Sequence, residues 1–337
     1  MSTMPLKTAV IGLGVGAQHA LAYHNNPNCE LVQVCDTDDE KLAWAAQQFP
    51  TVELTKKAAD VLCNPNIDLV SIASYDQDHA QQILLGLDHN KHLFVEKPLC
   101  LLKSEAQAIA EKLRLKPHLK LSSNLILRQY PIFRQLKQWI EAGRFGEIYS
   151  IEGDYNYGRL HKIIEGWRGT APNYSVTFGG SVHLIDLFQW LLQSKPNKVS
   201  SMSNKICSLN TIFKNPDFVS SLFEWNGIIA KITSNFGCVQ PHFHNLKLYG
   251  TKATFVHGLN GSFISSSRDP ETPLERLNLP YPGCSKGDLI APFVEEILGL
   301  NQNAISKQEV FDTLSICLAV DESHQRSQLL PIEYLKI

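Results

Sequence analysis

Through the first third of the chain, short apolar runs alternate with segments of helical periodicity. TAVIGLG (8–14), ELVQVCD (30–36), LVSIAS (69–74), HLFVE (92–96) and LKLSS (119–123) read as strands. Their nearly continuous apolar character is what a strand covered on both faces requires. Helical stretches near 16–25, 38–48, 55–63, 79–88 and 104–114 fall between them, and this alternation predicts a parallel, doubly wound α/β sheet. Ser104 with Gln107, and Asp78 with Gln81, have capping-box spacing or a close variant and mark helix starts. After about residue 123 the rhythm changes. A helix near 131–142 is followed by GEIYSIEGDYNY, KVSSMSNKIC, DFVSSLFEWN, IIAKITSNFG, HNLKLYG and ATFVHG. Several of these alternate apolar and polar positions, as a half-buried antiparallel sheet does. The expected division is an N-terminal domain over 1–122 and a C-terminal α+β domain over 123–337, built on a large, open, mainly antiparallel sheet.

Length and composition narrow the possible partners. A chain of 337 residues, 44% hydrophobic and 19% charged, can bury two ordinary cores. The formal net charge of −2, with no Lys/Arg run, argues against nucleic acid and for a small-molecule partner. Eight cysteines are scattered without a C-x-x-C pair or a close His/Cys group at zinc spacing, which fits reduced cytoplasmic thiols. No stretch approaches the roughly 20 apolar residues of a membrane span. The N-terminal apolar run is broken by Gly12, Gly14 and Gly16, unlike a signal peptide. A soluble, cytoplasmic protein with no membrane partner is expected.

GLGVGA (12–17) follows the first strand and opens the first helix, matching G-x-G-x-x-G/A with Ala17 in the third place. Such a turn needs tight backbone at Gly12, close approach to a pyrophosphate at Gly14, and close helix–strand packing at Ala17, with Val15 and Gly16 completing the loop. Asp36 ends the second strand, where an acid accepts hydrogen bonds from ribose hydroxyls. The first domain is therefore expected to be a Rossmann dinucleotide-binding unit. Asp38, Asp39 and Glu40 follow Asp36 with only Lys41 opposing, so a 2′-phosphate would meet mostly negative charge, and NAD is favoured over NADP.

FVEKPL (94–99) ends an apolar strand on Glu96-Lys97-Pro98. A solvated salt pair with a ladder-stopping proline would explain it, as would a functional lysine at a sheet end. Taken with GLGVGA and Asp36, the segments IASYDQDHA (72–80), EKP (96–98), SSNLILRQYP (122–131), AGRFGEIYSIEGDY (142–155) and GGSVHLIDLFQWL (179–191) resemble the Gfo/Idh/MocA oxidoreductases end to end. That family mostly acts on sugars, polyols and nucleotide sugars. The resemblance implies Ser74, Tyr75, His79, Glu96 and Lys97 at the cofactor, with Lys97 also contacting the reacting hydroxyl. Burial and a positive nicotinamide both disfavour an ammonium, which suits a lysine to proton transfer. Pro98 is a candidate for a cis peptide.

From Val182 onward the 179–192 segment predicts a helix, with His183 and Asp186 three apart on one face. His183 matches the family's catalytic histidine, while the Asp that usually precedes it by four residues is here Gly179. Tyr174, Tyr157, His161 and Asp186 are candidates to substitute, and Asn124 and Arg128 to support the substrate. NYGRLHKIIEGWRG (156–169) also resembles members associated with surface-polysaccharide sugars, where Arg159, Lys162 and Arg168 would meet a sugar diphosphate. HFH (242–244) puts two imidazoles on one strand face with no evident third ligand, so no metal is expected. The leading expectation is an NAD-dependent dehydrogenase or reductase with a carbohydrate substrate, assembled by analogy as a homo-oligomer, dimer or tetramer. The alternatives are a catalytically silent NAD- and sugar-binding regulator, and an enzyme that never releases its nucleotide.

Overall fold

The computed structural model describes residues 4–171, 173–302 and 304–337. They form two compact units. One takes the chain up to Ile126 with Cys284–Phe311 and Leu335–Ile337, and the other Leu127–Gly283 with Asp312–Tyr334.

The first unit runs β1 (Leu6–Ile11), α1 (Gly16–His24), β2 (Cys29–Cys35), α2 (Asp39–Gln48), β3 (Glu53–Thr55), α3 (Ala58–Leu62), β4 (Leu69–Ile72), α4 (His79–Asp88), β5 (His92–Val95), α5 (Lys103–Leu115) and β6 (Leu121–Ser123). The strands are parallel in the order β3-β2-β1-β4-β5-β6. This is the doubly wound Rossmann arrangement, whose direction reverses between β1 and β4. Central strands are buried along nearly their whole length: Ala9, Val10, Leu69, Val70, Ile72, Leu93, Phe94 and Val95 are solvent-inaccessible. Each large aliphatic or aromatic side chain so placed stabilises the unit by ~1.5–3 kcal/mol relative to exposure.

Two local details differ from the sequence reading. Glu53–Thr55 overlaps the expected helix at 55–63 but forms an edge strand, paired to β2 through three residues, too few to show a period. At α5 the cap comes from Glu105, not Ser104: its carboxylate accepts from the Leu101 and Leu102 amides, both at 3.0 Å. Asp78 does precede α4, but its side chain makes no cap.

The second unit contains α6 (Pro131–Glu141), β7 (Ile148–Asn156), the short α7 (His161–Ile164) and α8 (Trp167–Thr170), a π-helical turn Thr177–Ser181, and α9 (Val182–Leu192). Then follow β8 (Lys198–Asn204), β9 (Phe218–Trp225), β10 (Ile228–Asn235), β11 (Phe243–Gly250), β12 (Thr254–Gly258), β13 (Gly261–Ser265), β14 (Glu275–Leu277) and β15 (Leu330–Pro331). The sheet order is β14-β13-β12-β11-β7-β10-β9-β8-β15. Among the described strands of this sheet only the β7–β10 pairing is parallel. Strand β9 shows the alternation in detail, with Val219, Ser221, Phe223 and Trp225 buried and Leu222 and Glu224 exposed. α9 lies over β7, where a side chain at Gly153 would strike Phe188 and Leu184. Met202, Leu222 and Ile229 stand exposed on the sheet.

The segment 284–311, placed by the sequence in the second domain, clusters with the first unit. There α10 (Ile290–Ile297) buries Ile290, Phe293 and Val294, and Phe293 meets Phe94 of β5 with ring centroids 5.7 Å apart. Among the described residues no helix is long and apolar enough to cross a membrane.

Candidate active site

In the first unit the glycine-rich turn joins β1 to α1. Gly12 has φ +87°, and a Cβ there would lie 2.3 Å from the Ala73 carbonyl oxygen, so this turn excludes every side chain. Gly14 is exposed, and no atom of the described residues lies within 4 Å of where its Cβ would be, which leaves backbone open to an approaching anion. The close helix–strand contact expected at Ala17 is made instead by Gly16, whose Cβ would sit 2.9 Å from Val10 and 3.0 Å from Ala73. Ala17 is half-exposed and Val15 exposed at the start of α1. Asp36 is buried and accepts from the Leu13 amide at 2.6 Å and the Asp38 amide at 2.9 Å, while the Lys41 ammonium lies 3.3 Å away. Its carboxylate therefore holds the turn. These residues fit a dinucleotide: open backbone at a helix start, no side chain in the way, and an acid at the end of β2.

Glu96 and Lys97 follow β5 directly, at the carboxyl end of the sheet where ligands of this fold class lie. The Lys97–Pro98 peptide is cis. Burial alone would push the Glu96 carboxyl up, yet a hydrogen bond and charge from His19, the charge of Lys97, and a hydrogen bond from Asn124 together hold it at about 2. Asn124 donates to Glu96 at 2.6 Å and to the Lys286 carbonyl at 3.0 Å. Buried His79 places Nδ1 2.7 Å from the Pro98 carbonyl and Nε2 3.3 Å from that of Ser74. With its proton on Nδ1 it donates to the Pro98 carbonyl and ties the start of α4 to the loop after β5. The Ser74 hydroxyl donates to Gln82 at 2.8 Å, and the Tyr75 ring is half in solvent.

In the second unit a group of rings surrounds Tyr155 near the end of β7. His183 stacks on it at 6.1 Å, Phe236 lies at 5.8 Å, and His242 and His244 approach edge-on at 5.1 and 5.0 Å. Tyr157 stacks on Phe236 at 4.4 Å. The His244 imidazole is 6.3 Å from that of His183. Its orientation is set by Tyr281, whose hydroxyl accepts from the His244 amide at 3.0 Å and lies 2.5 Å from Nδ1. Burial pushes the phenols of Tyr155 and Tyr281 up, so both are neutral hydrogen-bonding groups at ordinary pH.

The two glycines before His183 are explained by what fills their places. A Cβ at Gly180 would sit 2.5 Å from the Tyr155 ring, and one at Gly179 would sit 2.3 Å from the Tyr174 hydroxyl. The phenol of Tyr174 thus occupies the space a side chain at 179 would need. The π-helical turn that carries both glycines is tied to β10 by Ser234, which accepts from the Ser181 amide at 3.1 Å and donates to the Val176 carbonyl at 2.9 Å. Asp186 is committed elsewhere. It is fully buried and held by Arg128 through Nη2 at 2.6 Å and Nε at 3.0 Å.

The structure thus gathers Tyr157, Tyr174, Gly179 and His183 in the second unit, and Gly12, Gly14, Asp36, Glu96, Lys97 and Asn124 in the first. His161, Lys162 and Arg159 are exposed. Arg159 lies over the Tyr157 ring at 5.6 Å, and half-buried Arg168 over that of Trp167 at 4.5 Å. Tyr155, His244, Tyr281 and His19 carried no assignment from sequence. The spacings in DYNY and HFH were the available signal for the first two, since alternate residues share a strand face. Among the described residues no group of three or more His, Cys, Asp or Glu is arranged to hold a metal.

Residues 6–122 match the oxidoreductase family with an NAD-binding Rossmann fold, and residues 133–256 the GFO/IDH/MocA C-terminal domain. An inositol 2-dehydrogenase of Salmonella paratyphi B is 25% identical over 224 residues, 64% of this chain and 63% of that protein. A D-glucoside 3-dehydrogenase of Escherichia coli is 26% identical over 204 residues, 57% and 55% of the two chains. The chain therefore spans less than two-thirds of the length of these relatives. A levoglucosan dehydrogenase solved in complex with NADH shares the fold with a TM-score of 0.84 at 20% identity, over 98% of this chain and 100% of that one.

Proposed function

Because the chain belongs to the Gfo/Idh/MocA oxidoreductase family, we propose that it is an NAD-dependent dehydrogenase, or the reverse reductase, acting on a secondary alcohol of a sugar, polyol or nucleotide sugar. The observation that carries this reading is Lys97, half-buried at the carboxyl end of β5 directly after a carboxylate held ionised by His19 and Asn124. The relatives named for inositol and glucoside oxidation support the substrate class.

When bound, the nicotinamide supplies the acceptor or donor of the hydride. Lys97 contacts the reacting hydroxyl. His183 takes its proton in the oxidative direction and returns it in the reductive one, a role suited to an imidazole near neutral pH. Tyr174, whose hydroxyl fills the place of a side chain at 179, supplies the polar group on that side of His183. Tyr157 would offer its hydroxyl to a polar substrate pocket, and Arg159 and Arg168 would engage a diphosphate if the substrate carries one. Asn124, Arg128 and Asp186 act by positioning. Asp36 and its acidic neighbours favour NAD over NADP. The exposed apolar residues of the second sheet favour a homo-oligomer, and the free cysteines a cytoplasmic setting.

NADH and NADPH titrations followed by fluorescence, with absorbance at 340 nm on adding NAD+ and a panel of inositols, glycosides and nucleotide sugars, test the proposal. The expected result is NADH binding about tenfold or more tighter than NADPH, together with NADH formation on at least one compound. Tight NADH binding without turnover on any compound would instead indicate a silent binding protein.

A further inference from the structure

We infer that His19 is a positioning residue: from α1, its imidazole holds the Glu96 carboxylate that precedes Lys97, so the helix opened by the glycine-rich turn also sets the lysine. The inference rests on the dehydrogenase reading for what Lys97 does, and on the geometry and charges around Glu96 for what His19 does. His19 is completely buried, three residues after the glycine that packs α1 against β1. Its Nε2 lies 3.4 Å from Glu96 Oε1, to which it donates when it carries the ring proton, and 3.2 Å from the Asn124 amide nitrogen, whose two hydrogens have the nearer acceptors Glu96 Oε1 and the Lys286 carbonyl. Its ring meets Phe94 of β5 edge-on, centroids 5.3 Å apart at 78°, which leaves the imidazole little freedom to turn.

The other ring nitrogen, Nδ1, is buried with no hydrogen-bond partner among the described residues. Leaving a polar atom desolvated is costly, and a leucine or phenylalanine at this place would fill the space without that cost. Only the Nε2 edge makes use of the histidine's polarity, and that edge faces Glu96. The charged groups bearing on the carboxylate are His19 from α1 and Lys97 beside it in the chain, with Asn124 as an uncharged donor. Removing the His19 contact takes one hydrogen-bonding partner from a largely buried carboxylate and leaves the Asn124 donor in place. The carboxylate's tendency to protonate rises, and the anion next to Lys97 is weakened.

The test compares His19→Leu with His19→Gln, whose amide N–H restores a donor, in the full-length protein. Turnover and NADH affinity are measured, and the Glu96 carboxyl carbon is followed by NMR in protein carrying 13C-labelled glutamate, assigned by its loss in Glu96→Gln. The expected result for His19→Leu is turnover reduced about tenfold or more, NADH affinity within about threefold of wild type, and a Glu96 signal that titrates at higher pH than in wild type. His19→Gln should recover most of the turnover and the ionised signal. Equal losses in the two variants, or an unmoved Glu96 titration in His19→Leu, would overturn the inference. If the wild type turns over no carbohydrate, the functional reading fails, and the NMR comparison still decides the role of His19.

Discussion

Replacing Lys97 by methionine should lower the rate of NADH formation by roughly 10²–10⁴-fold, the range for loss of a group that assists proton transfer, while NADH affinity stays within about threefold of wild type. The reason is positional. Lys97 stands after β5, at the carboxyl end of the parallel sheet, whereas the contacts that shape the dinucleotide turn come from Gly12, Gly14, Gly16 and Asp36 after β1 and β2. Methionine keeps the length and apolar stem of lysine and removes only the ammonium, so the fold is preserved and the chemistry is not. Steady-state turnover beside a fluorescence titration with NADH checks both halves. Loss of nucleotide binding in parallel with activity would assign Lys97 to cofactor retention instead.

The second large effect is on stability. Arg128→Leu leaves Asp186 buried without its guanidinium, and breaking such a pair from one side costs ~3–5 kcal/mol. The bond is bidentate, and Asp186 is solvent-inaccessible, so water cannot readily replace the lost donors. Arg128→Leu/Asp186→Leu removes the stranded charge and is expected to recover a large part of the loss. Urea denaturation followed by tryptophan fluorescence is suited to this, since four of the five tryptophans lie in the second unit. Equal stability of the single and double variants would show that the ion pair is not what holds the turn at Arg128 to α9.

The first unit was largely legible because its strands are buried on both faces and therefore read as continuous apolar runs, and because the turn at Gly12 tolerates no other residue. The three-residue strand β3 was not legible, as it is shorter than any period. Nor was the packing of α10 on β5, which joins segments about 200 residues apart and leaves no mark in either alone. In the second unit the helix beginning at Val182 followed from its apolar stripe, whereas the π-helical turn before it did not. That turn depends on Gly179 and Gly180 yielding room to Tyr174 and Tyr155, a requirement set by residues elsewhere in the chain. The ring cluster was half visible in DYNY and HFH. What joins the two motifs is the antiparallel register that sets His244 opposite Tyr155, and register becomes known only with the pairing of β7 and β11. His19 had no pattern to reveal it, because a lone histidine in an amphipathic helix reads equally well as core.

Hydride transfer between nicotinamide and a carbinol carbon is open to isotope tracing. NADH deuterated at C4, in separate R and S forms, is incubated with the protein and the keto forms of the inositol, glycoside and nucleotide-sugar panel, and the products are weighed by mass spectrometry. A dehydrogenase of this kind leaves one deuterium on the carbinol carbon of at least one product, from one of the two C4 forms and not the other. Products without deuterium across the whole panel, from a protein that binds NADH, would contradict hydride transfer.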